Sequence, residues 1–314
     1  MDNPLISVVI PLFNKEQFIE STLRSVVNQR YDNIELIIID DGSTDASLAK
    51  VRTFLKFNGA RFVNVSLQTR PNTGQTRARQ DGIDSASGEY IAFLDSDDVW
   101  HPDKILLQVK MMANNSKLDM VFCNYMMLYS RKKLVKAVRF NPIEKRIMSW
   151  LLISGFGGAL ESTALIRKSI LEQANGFDQR LQMSGGLDLA FRLSKNQSVG
   201  LVDDYLCGYR VIRSGWHNNK MDLRRSYDEL LLKMELYSTY RDKIVKNLKI
   251  HLTLWELRNS FSLQNLFRLF IILLKSPISS LVYIWATLTR NLMAVVRGCS
   301  NIQSSSELLK LADL

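Results

Sequence analysis

The sequence predicts an α/β fold: a doubly wound, mostly parallel sheet with a helical C-terminal extension. Three observations carry this. Residues 6–10 and 34–39 are apolar, β-branched runs, as strands buried on both faces require. Between and after them, apolar residues recur at helical spacing, so strands and helices alternate. Beyond Asp222 the composition shifts to helical patterns and then to apolar stretches broken by single basic residues.

The chain has 314 residues, 46% hydrophobic and 23% charged, enough for one large α/β domain and an appendage. A formal net charge of +10 suits an anionic partner such as a nucleotide diphosphate or an acidic lipid surface. There is no Lys/Arg-rich arm, which argues against nucleic acid. Cys123, Cys207 and Cys299 lie far apart, without metal spacing, and read as reduced thiols. The acidic start leads straight into a strand, so no signal peptide is expected.

In chain order, residues 6–10 form the first strand, closed by Pro11, with Asn14 in the loop beyond. From Lys15, the positions Ile19, Leu23, Val26 and Val27 mark a helix. Residues 34–39 form the second strand, ending in Asp40 and Asp41. Gly42 and Ser43 turn the chain, and Ser43 or Thr44 can cap a helix whose inner face carries Leu48, Val51 and Leu55 and which Gly59 stops. Val63, Val65 and Leu67 alternate as a third strand. A loop with Pro71, Asn72 and Gly74 opens a helix bearing Arg77 and Arg79, and Gly88 delivers the chain to a fourth strand over 90–94.

That strand ends in Asp95, Asp97 and Asp98. Ligands of open α/β sheets lie beyond the carboxyl ends of strands, and magnesium or manganese is held there by one or two carboxylates plus phosphate. A D-x-D at this place reads as a cation clamp for a diphosphate. One of these acids could instead cap the helix starting near Asp103, but a cap does not need three. Asp40, at the end of a neighbouring strand, can accept hydrogen bonds from a base or a ribose; for Asp41, beside Gly42, a turn bonded to its own backbone competes. Arg77 and Arg79 do not share a helix face, so one is functional and one structural, and Arg79 is assigned to the diphosphate or to the neighbouring acids.

The segments ISVVIPLFNKEQFI, ELIIIDDGSTD and NTGQTRARQDGIDSASGEYIAFLDSDD, with the following W-x-P, occur in the order seen in family 2 nucleotide-sugar-dependent glycosyltransferases of the GT-A fold. The chain resembles that family over roughly its first two-thirds. The resemblance implies an inverting transfer from a nucleotide diphosphate sugar, UDP-linked, with Mn2+ or Mg2+ as cofactor. It implies that Pro11 and Asn14 lie near the base, that Asp40 and Asp41 contact uridine or its ribose, and that Asp95 and Asp97 carry the metal. Gln80 stands where the family often has Asn. In MSGGLDLAFRL, Asp188 and Arg192 share a helix face. The matching family stretch usually reads Glu-Asp, apolar residues, then Arg, with the Asp as general base; this makes Asp188 the base and sets Leu187 in place of the Glu. The plain alternative is a capping Asp in an Asp–Arg pair.

The remaining elements supply the acceptor side. Residues 120–125 read as a strand, 134–140 as an edge strand overlapping the basic 131–136, and 161–166 as another strand, followed by a short helix over 167–174 and a turn at Gly176-Phe177-Asp178. Gly155, Gly157 and Gly158 mark either a loop that moves on binding or a plain connector. Residues 199–202 and 205–211 read as two closing strands. In the next loop Trp216 can stack on a sugar ring and Arg213 or His217 can approach the diphosphate, with His217 either a metal ligand or merely solvated. A catalytic domain over 1–220 results, with its nucleotide-sugar half to about 115 and its acceptor half over 116–220, followed by a helical region over 221–314. There Arg268, Lys275 and Arg290 interrupt any clean span. Residues 255–297 suit a helix in a membrane interface, or a hairpin packed on the catalytic domain or a second subunit. The expected setting is cytoplasmic, at the inner face of the cell membrane, acting on a saccharide or lipid-linked acceptor in surface polysaccharide assembly. Two other classes stay open: a catalytically silent binder of nucleotide sugar or glycan, kept by Leu187, and a nucleotidyltransferase, which needs a Gly-rich loop where the chain reads PLFNKEQF.

Overall fold

The structure, a computed structural model, describes residues 3–129, 134–139, 160–181, 185–193 and 198–212. The chain runs β1 (Ile6–Leu12), α1 (Ile19–Val27), β2 (Ile34–Asp40), α2 (Ser47–Asn58), β3 (Asn64–Thr69), α3 (Gln75–Ser85), β4 (Tyr90–Phe93), β5 (Val99–Trp100), α4 (Lys104–Asn114), β6 (Met120–Tyr129), β7 (Leu134–Val138), α5 (Leu160–Thr163), β8 (Leu165–Arg167), α6 (Lys168–Gln173), α7 (Gly185–Leu193) and β9 (Val199–Arg210). The strands form one sheet in the order β3-β2-β1-β4-β8-β6-β9-β5, with β7 also on β6. The doubly wound α/β expectation holds. Its parallel character is concentrated in β3, β2, β1 and β4; β8 runs antiparallel to both β4 and β6, and β9 is parallel to β6.

Every residue of β1 and β2 is buried, as helices on both faces of a parallel sheet require. β1 runs past its expected end, through Pro11 to Leu12. The Val9 carbonyl accepts from Leu94 N–H, and that of Leu12 from Asp41 N–H. Alternation therefore turns the Pro11 nitrogen toward β4, beyond the last β4 pairing at Phe93, where a missing N–H breaks no ladder bond. Glu35, inside β2 and 1% exposed, accepts from Ser7 Oγ at 2.5 Å, Ser87 N at 2.6 Å and Gly88 N at 3.0 Å. This buried carboxylate fixes the turn that feeds β4.

Local differences from the sequence reading have identifiable causes. The helix expected from Lys15 starts at Ile19, because Lys15–Phe18 close as a turn, the Phe18 and Ile19 N–H groups both donating to the Lys15 carbonyl. Neither Ser43 nor Thr44 caps α2; Asp45 does the equivalent work, its Oδ1 accepting from Ser47 N at 2.9 Å. Gly59 follows α2 with helical backbone and leads into a 3-10 turn over Gly59–Arg61. The α2 core contacts are Val51 and Phe54, with Leu48 and Leu55 only partly buried. Val63 lies outside β3 and is 64% exposed. Residues 161–166 are not one strand. Their first half is the single-turn α5, whose Ser162 is captured through both hydroxyl and carbonyl. The two closing strands are one, β9, whose register shifts opposite Asn124. The glycines at 155, 157 and 158 and the helical extension over 221–314 lie outside the described residues.

α3 packs on β1 through Gly82: a Cβ there would stand 2.2 Å from Val9 Cγ1. Val9 is β-branched, fully buried and cannot swing away. Gly82→Ala therefore destabilises the fold by about 1–3 kcal/mol through overpacking, offset in part by about 1 kcal/mol of helix propensity. The expected result is a melting midpoint lowered by a few degrees, and a loss in the double variant with Val9→Ala that is smaller than the sum of the two single losses; an unchanged midpoint would refute the contact.

Candidate active site

In the parallel half of the sheet, Leu12 pairs with Asp40 and Val9 with Phe93, so the loops after β1, β2 and β4 gather at one edge. Their side chains bind one another. Asn14, held at φ 49°, accepts from Thr44 N at 2.8 Å through Oδ1, while its own N–H donates to Ser43 Oγ. Asp40 and Asp41 are buried, 2% and 3% exposed, but differ in employment. Asp40 Oδ1 accepts from Ser43 N at 3.3 Å, the turn bond expected of Asp41. Asp41 accepts from Arg70 Nε at 2.8 Å, Thr73 N at 3.0 Å and Gly74 N at 2.8 Å. Both of its oxygens are engaged by its own chain, and it clamps the loop leading into α3. Pro11 sits inside β1, beneath these loops.

The acid cluster after β4 is not a set of three like charges facing one another. Asp98 turns inward and is fully buried, accepting from Ser162 Oγ at 2.6 Å and Arg210 N at 3.0 Å. Burial, then the neighbouring charges of Asp97 and Asp95, push its carboxyl well above the usual range. Asp95 and Asp97 keep 21% and 16% of their side-chain surface. Each already has a cation of the chain's own beside it: Arg79 Nη2 donates to Asp95 Oδ1 at 2.5 Å, and Lys15 Nζ lies 2.7 Å from Asp97 Oδ2. Arg210 Nη1 donates to the Asp97 carbonyl at 2.8 Å. Arg79 is 3% exposed; burial works against its charge, but Asp95 and Glu161 hold its pKa above the ordinary value. Arg77 is half exposed and faces Asp81 at 3.6 Å on its own helix.

Glu161 is the acid that sequence reasoning passed over. It sits on α5 with Oε1 3.9 Å from Arg79 Nη1. Burial raises its pKa, opposed by Arg79 and reinforced by Asp95. The only signal in the sequence was a lone acid in an otherwise apolar or hydroxylic run. Lys15, Arg70 and Arg210 were likewise missed, because their partners lie far away along the chain.

Asp188 stands in the first turn of α7 and is 1% exposed. Arg192 donates to its Oδ2 through Nε at 2.9 Å and approaches it with Nη2 at 2.8 Å. Arg192 also donates to the carbonyls of Ala174 and Gly176. The Asp–Arg pair of the plain alternative is therefore present, with Asp188 buried and the Arg192 side chain 23% exposed. Gln80 donates to Asp84 and accepts from Phe177 N at 2.7 Å; this longer amide ties α3 to the same turn. Arg213, Trp216 and His217 lie outside the described residues.

Among the described residues no group of three His, Cys, Asp or Glu side chains could hold a metal ion by itself. The donor set fits a hard divalent ion nonetheless. Two carboxylates at a strand end, each with a second oxygen and solvent access, are the protein share of a magnesium or manganese site that substrate phosphate completes.

The parallel half of the sheet thus ends in two accessible acids, Asp95 and Asp97, just beyond β4. The chain belongs to glycosyl transferase family 2, whose model, "Glycosyl transferase family 2", matches residues 7–174. It is 30% identical over 234 residues to the Escherichia coli UDP-Glc:alpha-D-GlcNAc-diphosphoundecaprenol beta-1,3-glucosyltransferase WfgD, covering 73% of this chain and 87% of that protein. Other curated relatives are longer than their match: the chain spans 65% of one and about a third of others. Among solved structures, the Pyrobaculum calidifontis mannosyltransferase PcManGT in complex with GDP-Man and Mn2+ superposes with a TM-score of 0.60 at 18% identity, over 93% of this chain and 88% of that one. S. aureus TarS 1-349 in complex with UDP-GlcNAc gives 0.59 at 16%, over 85% and 79%. These likenesses show the fold, which is GT-A.

Proposed function

We propose that the protein is a metal-dependent inverting glycosyltransferase that moves a sugar from a UDP-sugar to a hydroxyl of a saccharide or lipid-linked saccharide. The observation that carries this is the pair Asp95 and Asp97 at the carboxyl end of β4, accessible and held in place by Arg79, Lys15 and Arg210. Asp95 and Asp97 would hold Mn2+ or Mg2+, which when bound offsets the charge of the departing diphosphate. Asn14 and Asp40 face the nucleoside, and Asp41 shapes that side by clamping residues 70–74. Lys15 and Arg79 steady the acids, and Arg79 adds positive charge where diphosphate develops it. Asp188 accepts the acceptor hydroxyl proton as that oxygen attacks the anomeric carbon opposite the diphosphate. The bond to the diphosphate breaks on the far side, and the configuration inverts. Arg192 holds Asp188 in orientation through its Nε and Nη2 contacts to Oδ2.

Support for a lipid-linked acceptor comes from the diphosphoundecaprenol named for WfgD, and with the basic, apolar residues 255–297 it favours a place at the inner face of the cell membrane. No helix of the described residues is long and apolar enough to cross a membrane. The near-complete burial of Asp188 favours a second reading, a silent nucleotide-sugar binder. A screen of nucleotide sugars with manganese separates the two. Release of nucleoside diphosphate is expected, falling by about 10²-fold or more with chelator or in Asp97→Ala. Binding without release would leave the silent relative.

A further inference from the structure

Two buried polar atoms among the described residues have no hydrogen-bond partner: Arg79 Nε and Glu161 Oε2. Buried polar groups are almost always satisfied, so such orphans call for an explanation. They belong to side chains whose nearest charged atoms are 3.9 Å apart. On one side of Glu161, Arg79 holds Asp95, and the next residue, Ser162, accepts from Asp95 N at 3.2 Å. On the other side the carboxyl presses on α7: a Cβ at Gly186 would stand 1.9 Å from Glu161 Oε1. Gly186 lies two residues before Asp188. Glu161 therefore occupies the ground between the diphosphate acids and the base helix, which is where a sugar in transit must sit. Its side chain keeps 11% of its surface.

Resting on the glycosyltransferase reading above, we infer that Glu161 is a donor-specificity residue whose carboxyl takes a hydrogen bond from a hydroxyl of the transferred sugar. A hydroxyl both donates and accepts, so one such group can serve the Glu161 oxygen and accept from the neighbouring guanidinium. UDP alone offers nothing to this position, because the contact lies on the sugar side of the diphosphate.

The test compares binding of UDP, UDP-glucose and UDP-N-acetylglucosamine, each with Mn2+, by calorimetry on the full chain. Glu161→Gln keeps the volume, and Gly186→Ala pushes the carboxyl aside from the other face. Both variants are expected to bind UDP within twofold of the wild type. Both should weaken binding of the preferred UDP-sugar about tenfold, as loss of a charged hydrogen bond does, and alter the preference between the two sugars. An equal fall for UDP and UDP-sugars would mean that Glu161 only positions Arg79 and Asp95, and overturns the inference while the glycosyltransferase reading stands. Unchanged sugar binding overturns it too. A wild type that binds none of the three overturns both.

Discussion

With Asp188 as the proposed base, Asp188→Asn is expected to lower kcat by about 10²–10⁴-fold, the range for removing a general base, and to leave the donor KM within a few-fold. The substitution preserves shape but takes away the charge that Arg192 faces at 2.8 Å, so some stability goes as well. Arg192 also donates to Ala174 and Gly176, and a structural reading of Asp188 would make the whole effect one of anchoring. Arg192→Gln separates the two. It breaks the same pair but keeps the carboxylate, and it should cost far less in kcat at a similar loss of melting temperature. Equal losses of kcat in both variants, in step with melting, would leave Asp188 as an anchor and move the base elsewhere.

Lys104→Met stabilises the protein at pH 7, and its advantage shrinks as the pH rises. Lys104 is fully buried, with Nζ 2.9 Å from Gln108 Oε1 and 4.1 Å from the Trp100 ring centroid. Burial lowers its pKa to about 8, against an ordinary 10.5. Below pH 8 the lysine is protonated in both states, and the fold bears the full cost of the buried charge, about 3 kcal/mol. Between pH 8 and the unfolded value the unfolded chain binds more protons, so stability rises with pH. Methionine removes the cost but leaves the Gln108 oxygen without that donor, a loss of about 1–3 kcal/mol, so the net gain at neutral pH is modest. The informative quantity is the difference between wild type and variant in urea unfolding. It should move by about 2 kcal/mol in favour of the wild type between pH 7 and 9.5; a difference flat across that window would show the lysine to be neutral at pH 7 already.

The parallel half of the fold was legible because burial on both faces leaves an unmistakable apolar run, as in β1 and β2. Where polar residues are satisfied by distant partners, the same logic misled. Asp203 and Asp204 looked like a break between two strands, yet β9 continues through them, because Asn124 and Arg139 donate to Asp203. The run at 161–166 had strand composition, but the pull of Asp98 and Trp100 on Ser162 folds its first half into a helical turn. In the candidate site, the acids at strand ends could be read from their position alone. The groups that steady them could not: the Arg210 bond to Asp97 spans 113 residues and the Asp95 bond to Ser162 spans 67, and no local pattern encodes such a meeting.

Those long spans carry a consequence for how the protein comes into being at the ribosome. The first half can collapse around its own strands as soon as it emerges, in the N-terminal-first manner of large chains. Asp98, however, must wait for Ser162 and then for Arg210 before its burial is compensated. The loop after β4 is thus finished only when β9 leaves the exit tunnel, so a nascent chain halted before that point would display the parallel half with its acidic rim still unset.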